Sequence, residues 1–309
     1  MNQLRLKPTP QSLPTPAQKQ RAACWFTELQ GQFCVALEEI EQEYATQKGG
    51  AVQKFQRKDW IRETHDNVPG GGGNMALLKG QVFEKAGVNA SEVFGQFSKE
   101  FRAQIPGADG AVAVARSAEQ SRQEYEDGAF WAAGISLVVH PRNPKIPAVH
   151  MNTRHIATRF GWFGGVADLN PVFPDAQDVE AFHAALGRVC GTDTPAWKKE
   201  CDEYFTIKHR KKPRGAGGVF FDDLNRGDWE ADFALVQALG EAVLKAYPAI
   251  ARRHLFESYT PEEREAQLVW RGHYAEFNLV YDRGTKFGLM TGGNVDAVLM
   301  SLPPEAKWL

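Results

Sequence analysis

Four cysteines in 309 residues is a sparse allotment, and their positions, 24, 34, 190 and 201, form no C-x-x-C pair. That spacing excludes a zinc knuckle and a thioredoxin-type redox motif. Cys24 and Cys201 fall in helical patterns and read as small buried hydrophobes, and unpaired thiols suit a reducing compartment. Long apolar runs are missing too. No stretch nears the roughly 18 residues of a membrane-spanning helix, and "MNQLRLKPTPQSLPTP" has no apolar centre of signal-peptide length. Neither sign of charge is in excess: 36 basic and 38 acidic residues leave a net charge of -2, which argues against a dedicated nucleic-acid surface. The eight histidines include no H-E-x-x-H or H-x-H pair. There is no Walker-type loop, dinucleotide fingerprint or nucleophile elbow. The expectation is a cytoplasmic protein with no membrane span and no nucleic-acid partner.

What the chain does have is material for a core. Its hydrophobic fraction is 43%, and no repeat or linker divides it, so residues 15–309 read as one domain behind an extended arm, 1–14. Thr15 and Pro16 open a helix, with apolar residues at Trp25, Leu29, Phe33, Leu37, Ile40 and Tyr44 and a stop at Gly49-Gly50. The run "PGGGGN" reads as a flexible loop or lid. "GISLVVH" and "AVHMNTRHI", separated by "PRNPKIP", read as antiparallel strands. Helices are expected near 178–190 and 197–210, then a strand in "GGVFFDDLN". Another helix is capped by Asp228 and stopped by Pro248, and "TPEE" at Thr260–Glu263 is a capping box. "YAEFNLVYDRGTKFGLMTGG" alternates at Phe277, Leu279 and Tyr281 and reads as a hairpin. A short helix capped by Asn294 closes the chain. The fold class is α+β: a single domain with a large, mainly antiparallel sheet flanked by helices on both faces.

Period two puts His150, Asn152 and Arg154 on one face of a strand, opposite Val149, Met151 and Thr153. Ser136 and His140 form a polar face on the neighbouring strand. Three hydrogen-bonding side chains do not face an apolar core cheaply; they face water or a polar pocket. A guanidinium there suits a carboxylate ligand, and Arg142 stands in the adjoining turn. Asp168, in "WFGGVADLNP", has apolar neighbours on both sides. A buried carboxylate needs compensation, from a local backbone turn or from a ligand's N–H groups. His183 and His209 have ordinary readings as a packed helix residue and a solvated helix end, so a site built from His140, His150, His183 and His209 is weak on spacing.

Ten blocks in order, "RKDWIRE", "GGGG", "VFEKAGVNAS", "SLVVHPRNP", "HMNTR", "WFGGVADLNP", "CDEYFTIKHR", "GGVFFDDLN", "AEFNLVYDRGTKFGLMTGG" and "VLMSLPP", closely resemble oxygen-dependent coproporphyrinogen III oxidase. The resemblance implies a catalytic domain over 15–309. It implies oxidative decarboxylation of two propionates of coproporphyrinogen III to vinyls, giving protoporphyrinogen IX, CO2 and H2O2 in haem biosynthesis. Dioxygen is the co-substrate and no organic cofactor is required. It also implies a homodimer formed through about 274–309. It assigns His150 as proton donor and Asp168 as an acid engaging the pyrrole N–H groups. Ser136, Asn152, Thr153, Arg154, Gly292, Gly293 and Asn294 would contact substrate, with Trp162 and Phe163 as aromatic walls. Manganese or another divalent metal on His140, His150, His183 and His209 is the disfavoured variant. The chain departs from the family where "TGGN" replaces "TGGR" and where Asn74-Met75-Ala76-Leu77 follows the glycine run. Lost cations motivate the alternative of a catalytically weakened tetrapyrrole-binding protein.

Overall fold

Helix α1 (Pro16–Lys48) begins where Thr15 and Gln18 exchange side-chain and backbone hydrogen bonds, a full capping box, and ends at Gly49 with φ 78°. In the left-handed region only glycine avoids a steric penalty, which makes it the stop. The computed structural model of the chain describes residues 13–62, 68–97, 111–112, 126–158, 160–290 and 293–308; nearly all of the expected arm lies outside these. The buried stripe of α1, including Phe26, Leu29, Phe33, Leu37 and Ile40, lies on a seven-stranded sheet.

The strands are β1 (Gln56–Ile61), β2 (Gly71–Leu78), β3 (Phe83–Gln96), β4 (Ala129–Pro141), β5 (Ala148–Ala157), β6 (Gly161–Asn170) and β7 (Gly217–Leu224). They pair in chain order, and every pair is antiparallel. The glycine run expected to be a loop is the start of β2. Its glycines serve flatness: a Cβ at Gly73 would come within 2.7 Å of the Trp60 ring.

After β6 come α2 (Ala176–Cys190), α3 (Thr194–Tyr204), and, beyond β7, α4 (Trp229–Arg253), α5 (Pro261–Val280), α6 (Arg283–Met290) and α7 (Val295–Val298). α1, α2 and α4 cover one sheet face and build the main core. Two long-range ion pairs clasp α1 to α4, Arg21 with Glu230 and Arg252 with Glu43. α4 is long and apolar enough to cross a membrane by length and composition, yet Phe233, Val236, Leu239, Val243 and Tyr247 bury its apolar side in the core. On the opposite face α5 supplies Phe277 to a second cluster with Val166, Phe205 and Phe220.

Four further expectations are corrected, three about elements and one about a cysteine. The C-terminal hairpin is helical: the Thr260 capping box starts α5, which buries Leu268, Arg271, Tyr274, Ala275, Phe277 and Asn278 at helical spacing. Asp282, in the expected turn, instead receives the Thr285 N–H at 2.7 Å at the start of α6. Pro248 does not stop α4; the helix runs through it, because Ile250 and Ala251 are anchored in the core and Arg253 pairs with Asp178. The helix expected to reach 210 ends at Tyr204, and Thr206–Ile207 then pairs with Lys212–Pro213. Cys24 is exposed, whereas Cys34, Cys190 and Cys201 are buried.

Candidate active site

Alternation along β5 settles which side chains leave the helical face. His150, Asn152 and Arg154 are half-buried on the open face, while Thr153 is fully buried on the other. Thr153 therefore offers an open-face ligand no side chain. Register extends the row across three strands: Ser136 is the partner of Asn152, and His150 is the partner of Asp168. The open face is thus paved by Ser136, Asn152 and Arg154, with Trp60 toward the far strand, where its indole N–H donates to Asn89 at 3.2 Å.

Asp168 is 1% exposed, and its compensation is internal. Arg214 donates from Nη2 to both carboxylate oxygens, at 2.9 and 2.7 Å. Asn170 donates to Oδ2 at 2.8 Å, and His150 Nδ1 lies 2.8 Å from Oδ1. Burial alone would push this carboxyl up; the Arg214 charge and the His150 hydrogen bond more than reverse it and hold it down at about 2. The expectation that a ligand supplies the compensation is overturned. Asp168 is an ionised anchor, and a ligand would have to displace one of these partners to reach its oxygens.

Arg214 enters from the segment before β7, with its backbone N–H bonded to the Phe205 carbonyl at 2.8 Å. Its guanidinium sits 3.9 Å from the Phe205 ring centre and 4.9 Å from those of Tyr274 and Phe277, an aromatic seat that suits a weakly hydrated cation. Nη1 donates to Asn278 Oδ1 at 3.1 Å. Nη2 also lies 3.2 Å from His150 Nδ1. A guanidinium only donates, so Asp168 is the neighbour able to accept a proton from Nδ1. That bond fixes the ring and leaves Nε2 as the nitrogen available to a ligand.

Further along the face, Arg154 lies over two glycines. A Cβ at Gly164 would come 2.9 Å from its Nε, and one at Gly134 would come 3.0 Å from its own Cβ. Nη1 donates to Asn152 at 3.0 Å and Nη2 to Asp222. Asp222 also pairs with Arg283 of α6, 3.3 Å away. Neither Asp222, Arg283 nor Arg214 stood out in the sequence. The signal that could have led to a cation was Asp168 itself, a carboxylate among apolar residues, but it does not say where in the chain that cation lies.

Other expected residues lie apart. Arg142 is held by the Gly80 and Gln81 carbonyls and by Glu84. Phe163 stacks on His155, 4.1 Å between ring centres, within the helical core, and Trp162 packs beside Phe160. Gly292 lies outside the described residues; the Gly293 N–H bonds to Gly288 O at 2.9 Å. Asn294 turns its Oδ1 onto the Ala297 N–H, 3.0 Å away, capping α7.

The four histidines do not form a metal site. His140 is buried with Nε2 2.9 Å from Ser301 O, and burial, with the nearby charge of Arg271, lowers its pKa to about 3. His209 is engaged by Tyr281 and Glu276. Among the described residues no group of three or more His, Cys, Asp or Glu side chains is placed to hold a metal ion. The residues present do not fit the four-histidine arrangement.

Comparison with known proteins identifies the family. The family model described as coproporphyrinogen III oxidase matches residues 21–309. An "oxygen-dependent coproporphyrinogen-III oxidase" of Rickettsia bellii (strain OSU 85-389) is 52% identical over 288 residues, which is 92% of this chain and 96% of that protein. Proteins of the same description from Rickettsia africae and Rickettsia akari are each 51% identical over 294 residues, covering 94% of this chain and 98% of theirs. The chain belongs to the coproporphyrinogen III oxidase family.

Proposed function

We propose that the protein is an oxidoreductase that decarboxylates two propionates of coproporphyrinogen III with dioxygen, yielding protoporphyrinogen IX. The observation that carries the reading is the buried Asp168–Arg214 pair bonded to half-buried His150, next to Arg154 on the open face of a chain of this family. A propionate arrives as an anion. Each turnover, R-CH2CH2-CO2⁻ + O2 + H⁺ → R-CH=CH2 + CO2 + H2O2, consumes one proton. His150 Nε2 is the group available to give that proton, and Asp168 keeps the imidazole oriented and stabilises it once charged, the part a buried acid plays behind a catalytic histidine. Arg154 binds a propionate, with Ser136 and Asn152 as neutral hydrogen-bond partners beside it. Arg214, seated among three rings, sets the local positive field and keeps Asp168 ionised.

Dioxygen serves as oxidant with no organic cofactor, and the histidine geometry gives no reason to place manganese or another divalent metal. We place the protein in the cytoplasm and assign a homodimer contact to 274–309, where Leu279, Val280, Leu289 and Val295 are exposed apolar residues. The alternative, a tetrapyrrole-binding protein with little turnover, is favoured by one observation: Asn294, at the position of a family arginine, is occupied with capping.

The test uses coproporphyrinogen prepared without oxygen, chelator-treated protein and admission of air. Vinyl product with stoichiometric CO2 is the expected result, absent in Asp168→Ala. Tight binding without CO2 establishes the alternative, and product appearing only on addition of manganese overturns the metal-free reading.

A further inference from the structure

The chain beyond α7 seats on the open face of the sheet and then follows α5. Met300 is buried against Gly87 of β3, where a Cβ would collide with it. The Ser301 carbonyl accepts the His140 Nε2–H at 2.9 Å, and the Leu302 carbonyl accepts from Lys85 Nζ at 2.7 Å. Farther on, the Lys307 N–H bonds to Leu268 O of α5 at 2.9 Å, and the Trp308 indole N–H donates to Glu276 at 2.9 Å. Residues 299–308 therefore form a strap tied to both sheet and helix, with His140 as one of its anchors.

One side chain joins this strap to the Asp168–Arg214–His150 cluster. Asn278 of α5 is 3% exposed. Its Oδ1 accepts from Arg214 Nη1 at 3.1 Å, and its Nδ2 donates to Ser301 Oγ at 3.3 Å. A guanidinium only donates, so Arg214 dictates which way the amide faces and leaves Nδ2 to the strap. Ser301 Oγ in turn donates to Val298 O at 3.3 Å. The bonds run one way, from Arg214 through Asn278 and Ser301 to the end of α7, while Nη2 of the same guanidinium holds Asp168.

We propose that Asn278 is a positioning residue for the reaction, through which the docked strap sets the orientation in which Arg214 holds Asp168 and His150. The proposal rests on the functional reading above, in which His150 gives the proton. The rings of Phe205, Tyr274 and Phe277 attract the guanidinium without fixing its angle within its own plane. Because the guanidinium is rigid and planar, a bond on Nη1 restricts the swing of Nη2. That swing moves Asp168 and, with it, the imidazole, and proton transfer depends steeply on such placement. Asn278 touches no substrate, so its effect falls on kcat and not on KM.

Ser301→Ala removes the strap's link and leaves the Arg214–Asn278 bond in place. It should lower kcat about threefold with KM within about twofold. N278A should lower kcat about tenfold, the worth of one hydrogen bond to a charged group. S301T keeps the hydroxyl and should recover most of the rate. Adding S301A to N278A should change nothing further, since the link is already gone. On substrate-free protein, arginine side-chain 15N NMR gives a second readout. The Arg214 signal, identified by its loss in Arg214→Lys, should move in S301A and return in S301T. Wild-type kcat in S301A, an unmoved Arg214 signal, a KM rise matching the fall in kcat, or a full further loss on adding S301A to N278A would each overturn the proposal alone. Should N278A fail to fold, the Ser301 variants and the Arg214 signal decide it. Wild-type protein that yields no vinyl product would overturn the functional reading together with it.

Discussion

Arg214 and Asp168 meet as a fully desolvated ion pair, 2.7 Å apart at the nearest contact and each no more than 2% exposed. A buried charge that loses its partner is far more costly than a pair removed whole. Arg214→Met should therefore destabilise the protein by about 3–5 kcal/mol, measured by urea unfolding. The double variant with Asp168→Asn should lose clearly less than the sum of the single losses. Strict additivity would mean that the two side chains are not coupled.

His150 differs in that its side chain is partly open. His150→Gln removes the proton donor and little packing. We expect kcat to fall by roughly 10²–10⁴, the usual worth of a positioned acid, with KM and the unfolding midpoint little changed. Full turnover in this variant would reassign the proton donor.

The acid limb of stability should begin near neutrality. His155 is buried with Nδ1 3.0 Å from Trp162 O and Nε2 accepting the Trp229 indole N–H at 3.0 Å, so both nitrogens are committed with the ring neutral. Burial, only partly countered by the Trp162 bond, lowers its pKa from 6.5 to about 4. The unfolded state then takes up the proton first. The stabilisation is complete above pH 6.5 and is lost progressively toward pH 4, about 3 kcal/mol in all at ~1.4 kcal/mol per unit. His140, lowered to about 3, adds in the same direction, and Asp168 adds a further loss between pH 3.8 and about 2. Urea midpoints taken from pH 7.5 to 4.5 should fall steadily, and less steeply in His155→Gln. Parallel slopes in the two proteins would remove His155 from the account.

Gly164→Ala tests the floor under Arg154. The added methyl would approach Nε, Cζ and Nη2 of Arg154 at 2.9 to 3.1 Å. A flexible side chain can yield, so stability should change by less than about 1 kcal/mol. The guanidinium would leave Asp222, and KM should rise several-fold. An unchanged KM would show that the position of Arg154 does not matter for binding.

The open-face trio was legible because strand alternation is strictly local: once β5 is recognised, His150, Asn152 and Arg154 must point the same way. Capping was legible for the same reason at Thr15, Asp228, Thr260 and Asn294. The partner of Asp168 was not, because Arg214 arrives 46 residues later from a segment with no periodicity. The hairpin error has a physical source in Phe277, Leu279 and Tyr281. Apolar at every second position, they fit both periods, and Leu279 proves 51% exposed while Phe277 is buried. Pro248 misled because a missing N–H ends a helix only where packing does not hold the next turn. The glycine run misled because glycine was taken as a sign of freedom, whereas in β2 it makes room for Trp60.

The coincidence of strand order with chain order has a consequence for how the molecule comes into being. The pairings β1–β2, β2–β3, β4–β5 and β5–β6 need only short loop closures, which are fast, whereas β3–β4 and β6–β7 close across 32 and 46 intervening residues. The clasp between α1 and α4 is far more distant, joining residues 209 positions apart. During synthesis the first helix can settle on β3 and β4 while its outer flank waits for a partner not yet translated. That flank is where a chaperone would be needed longest, and pulsed hydrogen exchange should find α4 among the last elements protected.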